Sequence, residues 1–330
     1  CSQMGVDVLS DELPVAVPWL PHYHDMGLIG YYLTLILTGG HLVAFSDFRF
    51  MRRPFLWLES MSQYGARASS APNFAYEYML REDVVSNEAL ATLDLRSVRC
   101  LMNGSEPVNC ATMDRFAERF ASSGLDRDAV TACYGLAEAT LAVSHGGRRH
   151  LAVNTEQLQQ RQLLIETVTN KEELKEPATN CRARPGYLAS CGLPVDDMEV
   201  LIVDPETRQL LQEDSIGEVW LRGPSKAIGY WKKPDLTRKL FAATFINGEV
   251  TAGYLRTGDL GFFHDGELFI CGRLKDVIIF RGKNYFPHDI ESIAQAQIPT
   301  SRPGSIAAFA IEQEGGEDAL AVVAECKRQH

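Results

Sequence analysis

The stretch PHYHDMGLIG, from Pro21 to Gly30, places two histidines and an aspartate within four positions. Imidazole and carboxylate groups this close together can bind a metal ion, transfer protons, or hold a turn through hydrogen bonds. A metal-dependent hydrolase using His22, His24 and Asp25 is one interpretation, but the remaining histidines form no second pair of ligands. A structural His–Asp turn is another. The interpretation we favour is the wall of a binding pocket.

Three further segments carry side chains that could bind a ligand or take part in chemistry. They are SAPNFAY, NGSEP and YGLAEAT, which begin at Ser70, Asn103 and Tyr134, and each follows an apolar, strand-like run. Ligands of open parallel sheets bind beyond the carboxyl ends of the strands. We therefore expect all four segments, PHYHDMG included, to line one crevice.

The elements that would position these segments alternate between strand and helix. This pattern predicts an α/β fold with a doubly wound, mostly parallel sheet. The predicted strands are Leu13–Val17, Leu42–Phe45, Ala66–Ala71, Val98–Met102 and Ala129–Cys133. The predicted helices are Phe55–Tyr64, Phe74–Leu80 and Thr112–Ala121.

The pattern changes twice after this region, which suggests a division of the chain. We predict an α/β subdomain over 1–145, an inserted polar segment over 146–186, a β-rich, barrel-like subdomain over 187–272, and the beginning of a small α+β domain over 273–330. The pair Asp265-Gly266 between apolar flanks predicts a β-hairpin. Pro287 predicts the first turn of a helix in the last part.

Composition excludes several classes of protein. The chain has 330 residues, 45% of them hydrophobic and 23% charged, which is typical of a folded globular protein of about two domains. Its net charge of −11 and scattered basic residues argue against nucleic acid as a partner. Eight cysteines without C-x-x-C spacing favour free thiols in a reducing cytoplasm.

The uncharged run from Met26 to Ser46 is long enough to cross a membrane, but Gly39, Gly40 and His41 interrupt it. We therefore expect a buried helix followed by a buried strand, and no transmembrane segment.

The best-known phosphate motifs, G-x-x-x-x-G-K and G-x-G-x-x-G, do not occur. Six other motifs do occur in order: WLPHYHDMGL, SAPNFAY, NGSEPV, YGLAEATL, YLRTGDLGF, and GRLKDVII followed by GKNYFPHDIE. Together they resemble the adenylate-forming superfamily, and most closely its fatty acyl-AMP ligases. The resemblance implies activation of a fatty acid by ATP to an acyl adenylate, with release of pyrophosphate and with magnesium as a cofactor.

The resemblance also implies roles for individual residues. Glu138 is similar to the magnesium-binding glutamate, and Tyr134, with Gly135 beside it, to the aromatic residue that stacks on adenine. Asp259 matches the carboxylate that accepts both ribose hydroxyls, and Arg273 matches a ribose or phosphate contact. Lys275 falls where the family hinges its small domain. Without the resemblance, a helix-start carboxylate, a core aromatic residue, an Asx-turn and a surface lysine would be adequate explanations.

Two loops complete the implied site. Gly104, Ser105, Glu106 and Pro107 resemble the loop that closes on the adenine, although a tight turn into the next helix explains them equally well. The residues that resemble the wall near the carboxylate and acyl channel are His24, Asp25, Ser70, Ala71, Pro72, Asn73 and Phe74.

The residues of these motifs and the polar segment after His145 favour the acyl-AMP ligases over long-chain acyl-CoA ligases. The resemblance then implies a carrier protein, or a polyketide or peptide synthase module, as the acceptor of the acyl group. A non-catalytic adenylate-fold binding module remains an alternative. The chain opens with Cys1 and lacks the family's phosphate loop and terminal catalytic lysine. We therefore expect a fragment that is weakly active or inactive alone.

Overall fold

A computed structural model describes residues 14–153, 187–244, 253–280, 283–298, 300–312 and 318–326. Its strands are β1 (Val15–Ala16), β2 (His41–Leu42), β3 (Ala68–Ala71), β4 (Cys100–Asn103), β5 (Val130–Gly135), β6 (Ala142–Gly147), β7 (His150–Ala152), β8 (Tyr187–Ala189), β9 (Leu193–Pro194), β10 (Glu199–Val203), β11 (Gly217–Arg222), β12 (Leu255–His264), β13 (Glu267–Arg273), β14 (Ile278–Phe280), β15 (Lys283–Tyr285), β16 (Ser301–Glu312) and β17 (Asp318–Cys326).

The α-helices are α1 (Asp25–Gly27), α2 (Thr34–Thr38), α3 (Asp47–Arg52), α4 (Leu56–Tyr64), α5 (Asn73–Met79), α6 (Asn87–Leu90), α7 (Cys110–Phe120), α8 (Pro234–Phe241) and α9 (Pro287–Gln297). A π-helix over Leu28–Leu33 joins α1 to α2. Single 3₁₀ turns lie at Ala121–Ser123, Arg127–Ala129, Ala137–Ala139 and Leu274–Asp276.

The first region contains a seven-stranded sheet in the order β2-β1-β3-β4-β5-β6-β9. Its first five strands are parallel, β6 pairs antiparallel with β5, and β9 pairs antiparallel with β6. The doubly wound, mostly parallel sheet is therefore confirmed, and the predicted strands and helices are present with their ends shifted by a few residues. The loops after β1, β3, β4 and β5 lie at one edge because the carboxyl ends of parallel strands face the same way.

The second region is a four-stranded antiparallel sheet in the order β10-β11-β12-β13. The hairpin between β12 and β13 turns at Asp265 and Gly266, whose φ angles are 48° and 76°. A turn with two positive φ angles suits the right-handed twist of the flanking strands, so the predicted hairpin is confirmed. Farther along, α9 begins at Pro287 as expected and contacts β16, which pairs antiparallel with β17.

Aromatic side chains form the centre of the first core. Trp19 stacks on Phe50 with a ring separation of 3.8 Å, and both rings contact Trp57 edge to face. The fully buried Trp57 donates its indole N–H to the hydroxyl of Ser69 at 2.9 Å. That hydroxyl in turn donates to the carbonyl of Val17 at 2.7 Å. This pair of bonds fixes α4 against β3 and the end of β1.

The prediction of a buried helix and strand between Met26 and Ser46 is wrong in part. A helix is present, but Ile36 and Leu37 on its outer side are 73% and 76% exposed. The strand β2 has only two residues and lies at the edge of the sheet, where burial on both faces is not imposed. In the part of the chain that the structure describes, no helix is long and apolar enough to span a bilayer.

The predicted domain boundaries remain a prediction. Strand β6 runs through Gly147, and β8 and β9, within 187–194, pair with β7 and β6 of the first region. The segment 187–194 also contacts the β-rich sheet, because the Cys191 amide donates to the carbonyl of Leu268 on β13 at 2.7 Å and Ser190 bridges to Phe269. Residues 154–186, most of the predicted insertion, lie outside the described residues.

Substituting Ser69 by alanine tests the bond that links α4 to the sheet. We expect Ser69→Ala to lower the free energy of unfolding by about 1–3 kcal/mol, because it leaves the buried Trp57 N–H and Val17 carbonyl without that partner. Urea unfolding followed by tryptophan fluorescence measures the change. Thr92→Ala is the control, since its hydroxyl bonds a carbonyl at an exposed position and its loss should cost about 0.5 kcal/mol or less. Equal effects of the two substitutions would contradict the assignment.

Candidate functional site

Asp259 lies where the two main sheets meet. It sits on β12 opposite Arg273 of β13, whose Nε donates to Asp259 Oδ1 at 3.1 Å. From the other side, the hydroxyl of Tyr134 at the end of β5 donates to Asp259 Oδ2 at 2.5 Å. Residues 125 positions apart thus share one carboxylate. Tyr134, Asp259 and Arg273, which the sequence predicts for a single site, are brought together.

Burial controls the protonation of this group. It raises the pKa of Asp259, and although the Tyr134 hydroxyl and the Arg273 guanidinium act in the opposite direction, the net pKa stays above the ordinary value. The charge of Glu138 also raises the pKa of Asp259, which places Glu138 within electrostatic reach. Burial, and then the charge of Asp259, raise the pKa of Tyr134 well above its usual value. The phenol therefore stays protonated and acts as a donor.

Glu138 follows β5 in the 3₁₀ turn Ala137–Ala139, and a second loop holds it there. Its Oε1 accepts a hydrogen bond of 2.6 Å from the hydroxyl of Tyr230. The same loop, between β11 and α8, donates the amide of Ala227 to the Glu138 carbonyl at 2.8 Å. Thr140, with a φ of 71°, donates its hydroxyl to the carbonyl of Ser225 at 2.7 Å. Hydrogen bonds therefore hold both the backbone and the side chain of Glu138.

The loop Gly104–Pro107 packs directly against β5. A β-carbon at Gly104 would lie 2.7 Å from the sulfur of Cys133, so only glycine fits there without displacing that residue. Ser105, with a φ of 69°, contacts the sulfur of Met26 through its hydroxyl at 3.2 Å. Glu106 accepts the Phe74 amide at 2.6 Å, so this carboxylate caps the first turn of α5. The loop therefore bonds α5 and adjoins the strand that carries Tyr134, and its role towards the adenine remains a prediction.

His24 and Asp25 form a turn of their own. Nδ1 of His24 lies 2.7 Å from Oδ1 of Asp25, and both side chains accept from the amide of Met26 at the start of α1. These are the contacts of a structural His–Asp turn. Among the described residues, no group of three or more histidine, cysteine, aspartate or glutamate side chains is arranged to hold a metal. The metal-dependent hydrolase thus receives no support from this part of the chain.

The SAPNFAY segment continues the same edge. Ser70 and Ala71 end β3 and are fully buried. Asn73 begins α5, and its Oδ1 accepts from the side chain of Asn103 at 3.0 Å and from the amide of Asn109 at 3.1 Å. Phe74 packs edge to face against Trp19. These contacts join the loops after β1, β3 and β4 at one edge, while their role towards an acyl chain remains a prediction.

The remaining predicted residues have simpler surroundings. A β-carbon at Gly135 would lie 2.0 Å from the carbonyl of Leu141, so glycine is needed for β6 to pair there. Lys275 lies in the 3₁₀ turn after β13, where its side chain is exposed. An exposed turn residue is compatible with a hinge and equally with an ordinary surface lysine.

Sequence reasoning missed three residues that shape this site: Tyr230, Glu218 and Arg256. Tyr230 holds Glu138, as described above. Glu218 of β11 is 2% exposed and pairs with Arg256 of β12 at 2.6 Å. A signal was present for this pair, because a glutamate inside the apolar run GEVWLRG requires a buried partner. No comparable signal marked Tyr230.

Comparison with known proteins shows the family to which the chain belongs. The sequence profile of the family described as AMP-binding enzyme matches residues 2–231. The chain therefore belongs to the AMP-binding enzyme family, and its fold is the adenylate-forming fold that the sequence motifs implied.

The chain is similar to individual members of this family that are named as fatty-acid ligases. The chain is 40% identical over 321 residues to the medium-chain-fatty-acid–acyl-carrier-protein ligase JamA of Moorena producens, covering 96% of this chain and 52% of that protein. It is 38% identical over 312 residues to FadD25 of Mycobacterium tuberculosis, named as a fatty-acid–CoA ligase, with coverages of 93% and 50%.

The fatty acyl-adenylate ligase of Legionella pneumophila, solved with acyl adenylate and pyrophosphate, superposes with a TM-score of 0.72. It is 38% identical, with coverages of 96% and 53%. The chain thus spans about half the length of the relatives that it matches.

The raised pKa of Asp259 gives a pH-dependent stability with a defined sign. Because the folded pKa exceeds the unfolded value, this carboxyl contributes stability below the unfolded pKa and loses it as the pH rises through the folded pKa. The free energy of unfolding of the wild type, relative to Asp259→Asn, should therefore fall as the pH is raised from the ordinary carboxyl value. Urea unfolding at a series of pH values upward from about 3.5 measures it.

Asp114→Asn is the matched control with the opposite sign. Burial acts to raise the pKa of Asp114, but the hydrogen bond and charge of His150 and the charge of Arg127 outweigh it, and the net pKa is lowered. Its contribution is present above the unfolded pKa and is lost as the pH falls. A change in the same direction for both substitutions would contradict the electrostatic description of Asp259.

Proposed function

We propose that the protein in which this chain occurs joins a fatty acid to ATP, forming an acyl adenylate and releasing pyrophosphate. The observation that carries the proposal is the junction of Tyr134, Asp259 and Arg273 beside Glu138, in a chain of the AMP-binding family. Like charges must meet when a carboxylate attacks a phosphate, so such a site has to orient its substrates and offset their repulsion. ATP and magnesium, when bound, supply the adenylyl group and positive charge.

The donors and acceptors at the junction fit a nucleoside. Each carboxylate oxygen of Asp259 already accepts one bond, from Arg273 or Tyr134, and each has a further lone pair. A carboxylate of this kind is suited to accept two neighbouring ribose hydroxyls. Arg273, whose side chain is 59% exposed, is able to reach a ribose or phosphate oxygen. We assign the adenine to the side formed by Tyr134, Gly135 and the loop Gly104, Ser105, Glu106 and Pro107.

Glu138 fits a magnesium site shared with phosphate groups. Magnesium is usually held by one or two carboxylates together with substrate phosphates and water, and not by a cage of protein ligands. Tyr230 bonds only one oxygen of Glu138, so the other oxygen can serve the ion. We propose Glu138 as the magnesium-binding residue, and Lys275 as a hinge residue of the small domain.

The acyl side and the acceptor are proposed from the relatives. JamA is named as a ligase of medium-chain fatty acids and acyl carrier protein, which supports a fatty acid substrate and a carrier-protein partner. We propose a polyketide or peptide synthase module as the context of that partner. We propose His24, Asp25, Ser70, Ala71, Asn73 and Phe74 as the wall facing the acyl group. The name of FadD25 supports a second candidate, transfer to CoA.

We also propose that the protein works in a reducing cytoplasm. Every cysteine in the described residues is a free thiol, and burial raises the pKa of Cys100 to about 11. Buried thiols pack as small apolar groups.

The test is product analysis with the protein in which this chain occurs, given mixed fatty acids, ATP, magnesium, CoA and a carrier protein. We expect pyrophosphate release that depends on the fatty acid, an acyl adenylate, and an acylated carrier protein detected by mass spectrometry. Acyl-CoA as the main product would instead establish the second candidate. Nucleotide or lipid binding without turnover would indicate a binding module, and activity restored by zinc would indicate a hydrolase.

Glu138→Gln should lower the rate of pyrophosphate release by about 10²- to 10³-fold, the usual effect of losing one stabilising group at a reacting centre. The loss should shrink as magnesium is raised if the carboxylate holds the ion. Glu118→Gln, on the exposed side of α7, is the matched control and should leave the rate unchanged. An unchanged rate for Glu138→Gln would overturn its assignment.

A further inference from the structure

Glu218 is a buried carboxylate that the proposed chemistry does not use. It is 2% exposed, and three groups donate to it. Arg256 donates from Nε at 2.9 Å and from the terminal nitrogen at 2.6 Å, the Trp220 indole donates at 3.0 Å, and the Gly258 amide donates at 3.2 Å. The guanidinium of Arg256 also lies 5.6 Å from the centre of the Trp220 ring.

These bonds surround an irregularity in the pairing of β11 with β12. Glu218 pairs with Leu260 and Trp220 pairs with Arg256, so Thr257, Gly258 and Asp259 together lie opposite Val219 alone. Gly258 has a φ of 74° within this bulge. A bulge of this kind bends its strand and re-aims the side chains that it carries. Here it directs the carboxylate of Asp259 towards Tyr134 and Arg273.

Two hydrogen bonds connect the bulge to β11, and a third lies within the bulge. The Thr257 hydroxyl donates to the carbonyl of Val219 at 2.8 Å, and the Asp259 amide donates to that hydroxyl at 3.0 Å. The Gly258 amide donates to the Glu218 carboxylate, as described above. The bulge is therefore held to β11 at two points, the Val219 carbonyl and the Glu218 carboxylate.

Stability alone is a poor explanation for a charged pair at this place. Replacing a buried ion pair by apolar residues is often neutral or stabilising, because desolvation offsets the attraction between the charges. Geometry is a better explanation, since a fork of N–H groups on Arg256 and a peptide N–H have to meet one carboxylate in a single arrangement.

We propose that Glu218 is a positioning residue that holds the Thr257–Asp259 bulge, and thereby aims the Asp259 carboxylate at the ribose hydroxyls of the nucleotide. The ribose part of this inference rests on the proposed function. The structural part, control of the bulge by Glu218, does not.

The experiment compares Glu218→Gln with Glu199→Gln in the protein in which this chain occurs. Glu199 of β10 pairs with Arg222 of β11 at 2.6 Å, but both side chains are about 40% exposed and lie away from the bulge. Each substitution removes one glutamate charge from a cross-strand pair. We expect Glu218→Gln to increase hydrogen exchange at the amides of Gly258 and Asp259 by about tenfold in the ligand-free protein, and Glu199→Gln to leave it unchanged.

A second measurement asks whether the effect reaches the ribose. The affinities for AMP and for 2′,3′-dideoxy-AMP are compared in the wild type and in both variants by calorimetry. Glu218→Gln should weaken the binding of AMP by about tenfold and leave the affinity for the dideoxy analogue nearly unchanged. A general loss of structure would weaken the binding of both nucleotides. In a protein that already carries Asp259→Asn, adding Glu218→Gln should then weaken the binding of AMP only slightly further.

The outcomes separate the inference from the proposed function. Unchanged exchange at Gly258 and Asp259 in Glu218→Gln would overturn the inference, whatever the protein binds. Increased exchange in a protein that binds no AMP would leave Glu218 as the residue that holds the bulge and would remove the proposed function. Should Glu218→Gln fail to fold, Arg256→Lys keeps both charges but loses the fork, and it should raise exchange at the same two amides.

Discussion

The site depends on one hydrogen bond between elements that belong to different sheets. The Tyr134 hydroxyl, at the carboxyl end of the parallel sheet, donates to the Asp259 carboxylate in the bulge of the antiparallel sheet. Because burial raises the pKa of both groups, the donor stays protonated, and the carboxylate needs partners to remain charged. Arg273 is the second of these partners. The two sheets are thus joined at the point where a nucleoside is proposed to bind.

The four carboxylates at this edge are held by two kinds of partner, backbone amides and tyrosine hydroxyls. Glu106 caps the first turn of α5, and Asp25 caps the first turn of α1 beside His24. Asp259 and Glu138 are instead held from outside their own elements, by Tyr134 and Tyr230. Of these four contacts, only that of Asp25 is local, since Glu106 bonds an amide 32 positions away and Asp259 and Glu138 bond side chains 125 and 92 positions away.

Close backbone approach is the other condition for the site. The loop after β4 rests on Cys133 only because Gly104 has no side chain, and β6 turns back onto β5 only because Gly135 has none. These contacts bring the loop proposed for adenine beside the strand that carries Tyr134. On the opposite side, the Glu218–Arg256 pair fixes the bulge that carries Asp259. The junction of Tyr134 and Asp259 is therefore held by backbone packing on one side and by a buried ion pair on the other.

The sequence by itself determined the parallel sheet, the Asp265-Gly266 hairpin, the helix that begins at Pro287 and the family to which the chain belongs. Each of these depends on local patterns, such as apolar periodicity, turn residues and short motifs, and local patterns are present in the order of the residues. It also named Tyr134, Asp259 and Arg273, although only through resemblance. The tertiary structure alone decided that α2 exposes Ile36 and Leu37, that β9 closes the first sheet, and that Tyr230 holds Glu138. These facts depend on which distant segments meet, and that is set by the packing of whole elements and not by spacing along the chain.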